Sequence, residues 1–311
     1  MTFTASTTTA TAHRPRRKRP NPFPLILLSP ALVALTVLSG YPIARMVVNA
    51  FQEYGRAQLM GVPPKWVGIA NFTKVLTGTN FPAALGRSLG LMAACVTLTI
   101  TLGTLVAILM TKLNRFFRLF LSIGLLAAWS IPPMTGTYLW SWIFDTDFGL
   151  LNYVLTKLTG HQWLGHQWLL NPLSFYIVLT IIIVWGAIPF VAFTLYAAIS
   201  GIPGEVLEAA SLDQAGPARR FFLIQLPYVR SVYAVLVVLS VIWDLNVFDQ
   251  VYALQGVGGL VEKTSNLGVW IYQQGTASGS IGTASAAGII MVILMLAMSI
   301  VYVRQSLRDG E

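Results

Sequence analysis

The amino-acid sequence predicts an all-α membrane protein whose bundle has six transmembrane helices. Three features lead to this prediction: the composition, a set of long apolar segments, and one amphiphilic segment after the fourth of them. Hydrophobic residues make up 55% of the 311 residues and charged residues only 10%, a balance unlike that of soluble domains. A helix of roughly 20 apolar residues spans a bilayer. Six segments meet this requirement, near residues 25–49, 86–110, 119–143, 174–199, 230–253 and 281–303.

The first 22 residues form a separate region. They are rich in Ser, Thr and Ala, and they end in five basic residues among prolines, a composition too polar to build a core. We predict a disordered cytoplasmic tail over 1–22 and a transmembrane domain over 23–311. A cleaved signal peptide is the alternative, but the apolar stretch from Leu25 to Val48 is longer than a signal's apolar region and no small-residue cleavage site follows it.

The basic residues predict the orientation of the six spans. If the amino terminus is inside, 13 Lys and Arg residues fall on the inner side and seven on the outer side. Because cytoplasmic loops of membrane proteins are enriched in Lys and Arg, both termini are predicted to be cytoplasmic. The net charge of +9 is then explained by topology rather than by nucleic-acid binding.

Prolines predict irregular helices in the third and fourth spans. Pro132 and Pro133 lie in the third span and Pro189 in the fourth. Each removes a backbone hydrogen bond, so we expect these helices to bend or break where they line a cavity.

The segment 203–227 is amphiphilic and predicts a helix, a turn and a second helix. Pro203 suits a first helical turn, and Glu205 and Glu208 favour the positive end of a helix. Gly216 and Pro217 end that helix. An ordinary interfacial helix is the structural alternative.

This segment resembles the cytoplasmic loop shared by permease subunits of bacterial ATP-binding-cassette importers, here within residues 201–228. The positions that carry the resemblance are Glu208, Ala209, Ala210, Asp213, Ala215, Gly216, Phe221, Ile224, Leu226 and Pro227. Gln214 stands where the family usually has Gly. The resemblance implies that a separate ATPase binds this loop, with Ala209 and Ala210 deep in a groove, apolar contact from Val206, Leu207 and Leu212, and a charge pair from Glu208 or Asp213.

Other segments resemble the first permease of maltose- and glycerol-phosphate-type sugar importers. They include Tyr41–Pro42, Gly68 with 70–72, the third span around Pro132, Trp185 with Pro189, and Phe248–Asp249. The resemblance implies a type I importer permease in the prokaryotic inner membrane, a second permease that completes the path, two ATPases, an external solute-binding protein on the outer loops, and a sugar-like solute. It implies no cofactor on this chain, because ATP and Mg²⁺ belong to the ATPases.

The fifth span is the predicted substrate path, because polar groups inside a bilayer are costly and face a cavity or a partner. At 100° per residue one helix face carries Trp243, Asn246, Asp249 and Gln250, while Asp244 points away. Trp185 and Tyr252 are expected to add ring stacking against a sugar. The alternative is that Asn246 and Gln250 only bond a neighbouring helix.

Several other functions are disfavoured by the sequence. It contains no G-x-x-x-x-G-K-[ST] motif for ATP. His161 and His166 lack the helical spacing and the partners of a metal site, and Cys95 lies in an apolar run typical of a packed thiol. A non-sugar solute, such as a glycerol phosphodiester or polyamine, remains an alternative within the same machinery. An ion-coupled secondary transporter and an intramembrane enzyme are the other two classes.

Overall fold

The computed structural model describes residues 23–212 and 216–308, which are almost entirely helical. The predicted tail 1–22 lies outside the described residues. In chain order the elements are α1 (Phe23–Leu35), a π-helical turn (Thr36–Gly40), α2 (Tyr41–Ala50), β1 (Gln52–Glu53), α3 (Arg56–Leu59), β2 (Lys65–Trp66), α4 (Ala70–Thr77), α5 (Asn80–Lys112), α6 (Arg115–Trp129), α7 (Pro133–Ile143), α8 (Leu150–Thr159), α9 (Pro172–Ser200), α10 (Gly204–Leu212), α11 (Pro217–Arg220), a second π-helical turn (Phe221–Gln225), α12 (Leu226–Tyr228), α13 (Arg230–Leu245), α14 (Asp249–Val257), α15 (Val261–Thr264), α16 (Leu267–Gly275) and α17 (Ile281–Arg308).

The described residues contain the predicted membrane spans. Four helical stretches are long and apolar enough to cross a bilayer, and they are Ile26–Ala50, Asn80–Lys112, Pro172–Ser200 and Ile281–Ile300. Two bent pairs of helices also meet the length and composition of a span, α6 with α7 at 103° and the stretch Pro217–Tyr228 with α13 at 79°. When each bent pair counts as one span there are six, which agrees with the predicted all-α fold.

The prolines act differently in the third and fourth spans. The third breaks between α6 and α7, at Ser130 to Pro132, as the sequence predicted. The helix α9 instead runs unbroken through Pro189, which is buried. Since Pro189 has no N–H and packs inside the bundle, neighbouring helices hold this stretch in helical form.

Contacts divide the described residues into two compact units, one that ends at Arg45 and one that begins at Met46. In the first unit, the hydroxyls of Ser29 and Thr36 donate to the carbonyls of Ile26 and Leu32, at 2.8 and 2.7 Å. These bonds keep hydroxyl groups satisfied on an apolar helix.

The second unit is built around α5 and α9, which share more contacts than any other two helices. Three clusters of buried side chains surround this pair. One cluster includes Cys95 and Leu179, the second joins Phe81 to Ala286 of α17, and the third joins Leu195 to Leu236 of α13. The pair therefore forms the frame on which the other helices pack.

Gly103 lets α5 and α9 approach closely, and its replacement by Ala should destabilise the bundle. An added Cβ would lie 2.5 Å from Cγ1 of Val191 on α9. Overpacking of this kind costs about 1–3 kcal/mol, so we expect Gly103→Ala to lower the melting temperature of the purified protein in detergent. Gly90→Ala is the matched control on the same helix, because no atom lies within 4 Å of its Cβ. Equal melting temperatures for the two variants would contradict the close packing.

Candidate functional site

The predicted coupling loop begins where α9 ends at Ser200. The N–H of Gly201 donates to the carbonyl of Ala197 at 3.1 Å and closes the last turn of α9. The helix α10 then starts at Gly204, one residue after Pro203, and includes Glu208 and Ala210. It also includes the backbone of Ala209 and Leu212, whose side chains lie outside the described part of the chain, as does Asp213.

The helix α10 has an inner and an outer face. Ala210 is only 5% exposed, and Leu207 packs against the cluster that contains Ile199 and Leu236. Residues three apart share one helix face, so these two side chains contact this chain's own bundle rather than an open surface. ATPase contacts through Ala210 and Leu207 stay a prediction, and in this structure both side chains face the chain's own helices. Glu208 lies on the exposed face.

The second half of the loop is a short helix with a π-helical turn. Gly216 is extended, with φ −61° and ψ 164°, and Pro217 occupies the first helical position. The N–H of Leu226 reaches back to the carbonyl of Phe221 and widens the helix just before Pro227, whose ring would clash with the carbonyl four residues earlier in a regular helix. The chain then bends by 79° into α13.

A cleft of about 990 Å³ lies between this loop and the ends of the spans. Leu207 and Leu226 of the loop border it, together with Tyr233 of α13. The hydroxyls of Tyr233 and Thr104 are 2.7 Å apart, and the guanidinium of Arg118 donates to the hydroxyl of Tyr196 at 2.8 Å. These bonds join α5 to α13 and α6 to α9 at the border of the cleft.

The second candidate site is a cavity of about 710 Å³, here called the central cavity. It lies between α6, α7, α9, α13 and α14. Its lining residues are Ala128, Trp129, Ile131, Pro133, Gly136, Ile182, Ile183, Trp185, Gly186, Ala187, Phe190, Ile242, Trp243, Asp244, Asn246, Val247, Phe248, Asp249 and Gln250. The break between α6 and α7 and the break between α13 and α14 both border this cavity.

The break after α13 corrects the prediction of one continuous helix over 230–253. The helix ends at Leu245, and α14 starts at Asp249. The carbonyl of Val247, between the two helices, accepts a hydrogen bond from the side-chain amide of Asn266. Asn266 is fully buried and also accepts from the N–H of Val269 at 3.0 Å. Buried backbone carbonyls need hydrogen-bond donors, so Asn266 stabilises the break between α13 and α14. Sequence periodicity alone did not reveal this break.

Five of the six predicted path residues line the cavity, namely Trp185 and four residues on or near the fifth span. Trp243, Asn246, Asp249 and Gln250 border it, although no single helix face carries them. Tyr252 does not border it. Its ring instead stacks on Phe248 at 5.4 Å between centroids.

Aromatic rings form much of the cavity wall. Trp185 contacts Trp140 edge to face at 5.7 Å, and Phe190 contacts Trp243 in the same way at 5.2 Å. Trp129 lies 6.3 Å from Phe190. Sequence reasoning missed Trp129 and Phe190 as wall residues, although Phe190 belongs to a matched segment.

Asp244 is the lining residue whose placement differs most from the prediction. It was expected to point away from Asn246 and Asp249, but it borders the same cavity. Its side chain is 6% exposed, and its Oδ2 atom is enclosed without a hydrogen-bond partner. The predicted geometry failed here because the helix that would have separated Asp244 from Asp249 ends between them.

The repeat that contains His161 and His166 forms part of an ordered segment between α8 and α9. The rings of Trp163 and Trp168 stack at 5.9 Å, and His166 packs on Trp168 at 4.5 Å. The indole N–H of Trp168 donates to the buried side chain of Asn152 at 2.7 Å. Within residues 23–212 and 216–308, no group of three or more His, Cys, Asp or Glu is arranged to hold a metal.

Comparison with known proteins assigns the chain to a family. The family model described as "Binding-protein-dependent transport system inner membrane component" matches residues 99–308. The diacetylchitobiose uptake system permease protein DasB of Streptomyces coelicolor is 36% identical over 288 residues, which cover 93% of this chain and 88% of DasB. The sulfoquinovosyl glycerol transport system permease protein SmoG of Agrobacterium fabrum is 28% identical, over 90% of this chain and 88% of SmoG.

The fold has a solved counterpart. A chain in the crystal structure of a bacterial ABC transporter involved in the import of the acidic polysaccharide alginate superposes with a TM-score of 0.79, covering 93% of this chain and 96% of that one at 19% identity. This structural likeness shows the fold, whereas the matches to the family model and to DasB show similarity of sequence. The chain therefore belongs to the family of binding-protein-dependent transport system inner membrane components, and it is a multi-pass permease subunit rather than an enzyme.

Proposed function

We propose that this permease subunit forms, with a second permease, the path by which an ATP-driven importer carries a sugar or a sugar-like solute. The observation that carries the proposal is the central cavity, where two broken spans face α9. A sugar presents hydroxyl groups and an apolar ring face. Hydroxyl groups can bond to the amides of Asn246 and Gln250 and to the carboxylate of Asp249. The apolar ring face can stack on the rings of Trp185 and Trp243.

The proposed energy source lies outside this chain. ATP and Mg²⁺ bind two ATPase subunits beneath the coupling loop, and Glu208 on the open face of α10 pairs with a basic residue there. The buried contacts of Leu207 and Ala210 hold α10 to the bundle, so a force on the loop reaches the spans. Support comes from the family resemblance of the loop together with this anchoring.

The proposed orientation places both termini and the coupling loop in the cytoplasm. The outer segments 50–85, 144–173 and 254–280 then face the solute-binding protein. The buried amide of Asn152 supports a fixed outer surface, because it donates to the carbonyls of Thr146 and His166 at 3.1 Å each. The Lys and Arg distribution supports the same orientation.

The test is reconstitution of the complete importer in proteoliposomes with labelled N,N′-diacetylchitobiose, the solute in the name of DasB, as the first probe. We expect accumulation only when ATP is enclosed with the ATPases and the solute-binding protein is outside. Accumulation driven by an ion gradient without ATP would contradict the proposal and favour a secondary transporter. Accumulation by the purified chain alone would also contradict it.

A further inference from the structure

The charged groups around the central cavity all have the same sign. Asp244 and Asp249 line it, and no Lys, Arg or His is among the described residues of its wall. The remaining polar side chains on Asn246 and Gln250 are uncharged amides, and the rest of the wall is apolar or aromatic. A solute that enters this half of the path therefore meets acidic side chains and no basic one among the described wall residues.

The burial of Asp244 is a second, independent observation that points to a ligand in this cavity. More than nine tenths of its surface is buried, and its Oδ2 atom has no hydrogen-bond partner. A buried carboxylate without a partner is costly, and in a membrane protein such a group usually serves a pathway or a partner. The enclosed Oδ2 atom can accept a hydrogen bond, so a donor group on a solute would satisfy it.

The aromatic rings favour the same class of solute. The faces of Trp129, Trp185 and Trp243 carry negative electrostatic potential, so they attract cations and the C–H faces of sugars but not anions. A solute inside a cavity of this size stays within about one Debye length, roughly 10 Å, of the wall. Low polarity around the site weakens screening further.

We infer that this subunit's half of the central cavity accepts a sugar that carries no negative charge, either uncharged or with an amino group, and disfavours anionic sugars. The inference rests on the proposed function, since it assigns a substrate class to the same cavity. Asp244 accepts a donor from the solute at the buried end of the cavity, and Asp249 repels anions at its exposed side.

The test uses three disaccharides that share one carbon frame and differ in charge. Cellobiose is uncharged, chitobiose carries amino groups, and cellobiouronic acid carries a carboxylate. The two permeases and two ATPases are assembled in nanodiscs without the solute-binding protein, so that only the permeases select among the sugars. Binding of each sugar is then titrated by saturation-transfer NMR. We expect cellobiose and chitobiose to bind at least about tenfold more tightly than cellobiouronic acid.

Variants locate the selectivity on this chain. Asp244→Asn with Asp249→Asn should bring the affinity for cellobiouronic acid close to that for cellobiose, while Asp147→Asn, which removes an exposed carboxylate away from the cavity, should leave the ratio unchanged. If the double variant has a lowered melting temperature, Asp249→Asn alone is used for the comparison, because the side chain of Asp249 is exposed.

Three outcomes would overturn the inference. Equal binding of the anionic and uncharged disaccharides by the unaltered importer is one, and an unchanged ratio in the Asp249→Asn complex is another. Failure of all three sugars to bind, while ATP-driven uptake of another solute persists, would remove the substrate class and leave the proposed function intact. Loss of the proposed function would instead appear as uptake that does not require ATP.

Discussion

Replacing Glu208 by Lys should abolish ATP-driven uptake while the bundle stays inserted and folded. Glu208 lies on the exposed face of α10, and it belongs to the segment that resembles the ATPase-binding loop of importer permeases. Its side chain is not part of the buried clusters of the described residues, so we expect the bundle to fold without it. A reversed charge at a contact between subunits costs several kcal/mol, about 2–5 when a buried pair is broken.

The measurement combines three readouts on the reconstituted importer: uptake of labelled solute, ATP hydrolysis stimulated by the solute-binding protein, and the amount of ATPase that copurifies. We expect uptake and stimulated hydrolysis to fall at least on the order of tenfold. Glu208→Gln should have a smaller effect, because it removes the charge without reversing it.

Glu262→Lys is the matched control, since it makes the same change of charge on an exposed residue of α15, in a predicted outer segment. It should leave ATPase copurification unchanged. If Glu208→Lys transports as well as the unaltered importer, the docking role of α10 is wrong. If both Lys variants lose the ATPase equally, a general effect on assembly explains the result instead.

The number of spans and the positions of most of them followed from apolar length and composition, because a bilayer imposes one dominant length on its helices. The break near Pro132 was also predictable, since proline removes a backbone donor wherever it occurs. Pro189 shows the limit of that argument. There the loss of one hydrogen bond is offset by packing against several helices. Those contacts come from distant parts of the chain, so the residues around Pro189 do not predict them.

The break after Leu245 could not be read from local sequence. It depends on Asn266, which lies 19 positions later than Val247 and satisfies its carbonyl. A periodicity argument assumes a regular helix, so it assigned Asp244 and Asp249 to different faces. Tertiary structure instead brings both carboxylates to one cavity.

The coupling loop was identified by its pattern of residues, but the pattern did not say which side of α10 faces the bundle. Small residues such as Ala210 suit a groove on another protein and a tight contact within the chain equally well. In this structure Ala210 is buried and Leu207 packs against a buried cluster, whereas Glu208 lies on the exposed face of α10. Glu208 is therefore the described loop residue best suited to a test of docking.

Replacing Trp185 by Ala should reduce transport about tenfold without unfolding the protein. Trp185 projects from α9 into the central cavity, and its ring contacts Trp140 edge to face at 5.7 Å. It is half-buried, so truncation removes a surface for sugar stacking while the buried cores of α5 and α9 remain. Aromatic contacts of this kind contribute about 0.5–1.5 kcal/mol beyond the area they bury, and a tenfold change corresponds to about 1.4 kcal/mol.

The expected signature is a lower maximal rate of uptake with basal ATP hydrolysis and melting temperature retained, because the coupling loop and the main cores are untouched. Trp185→Phe should recover most of the rate, since a ring remains on the cavity wall. Trp142→Ala is the control: this indole is 76% exposed on α7 and does not line the central cavity. Equal rates for Trp185→Ala and Trp142→Ala would place the solute elsewhere, because a ring on the path must slow transport more than one outside it.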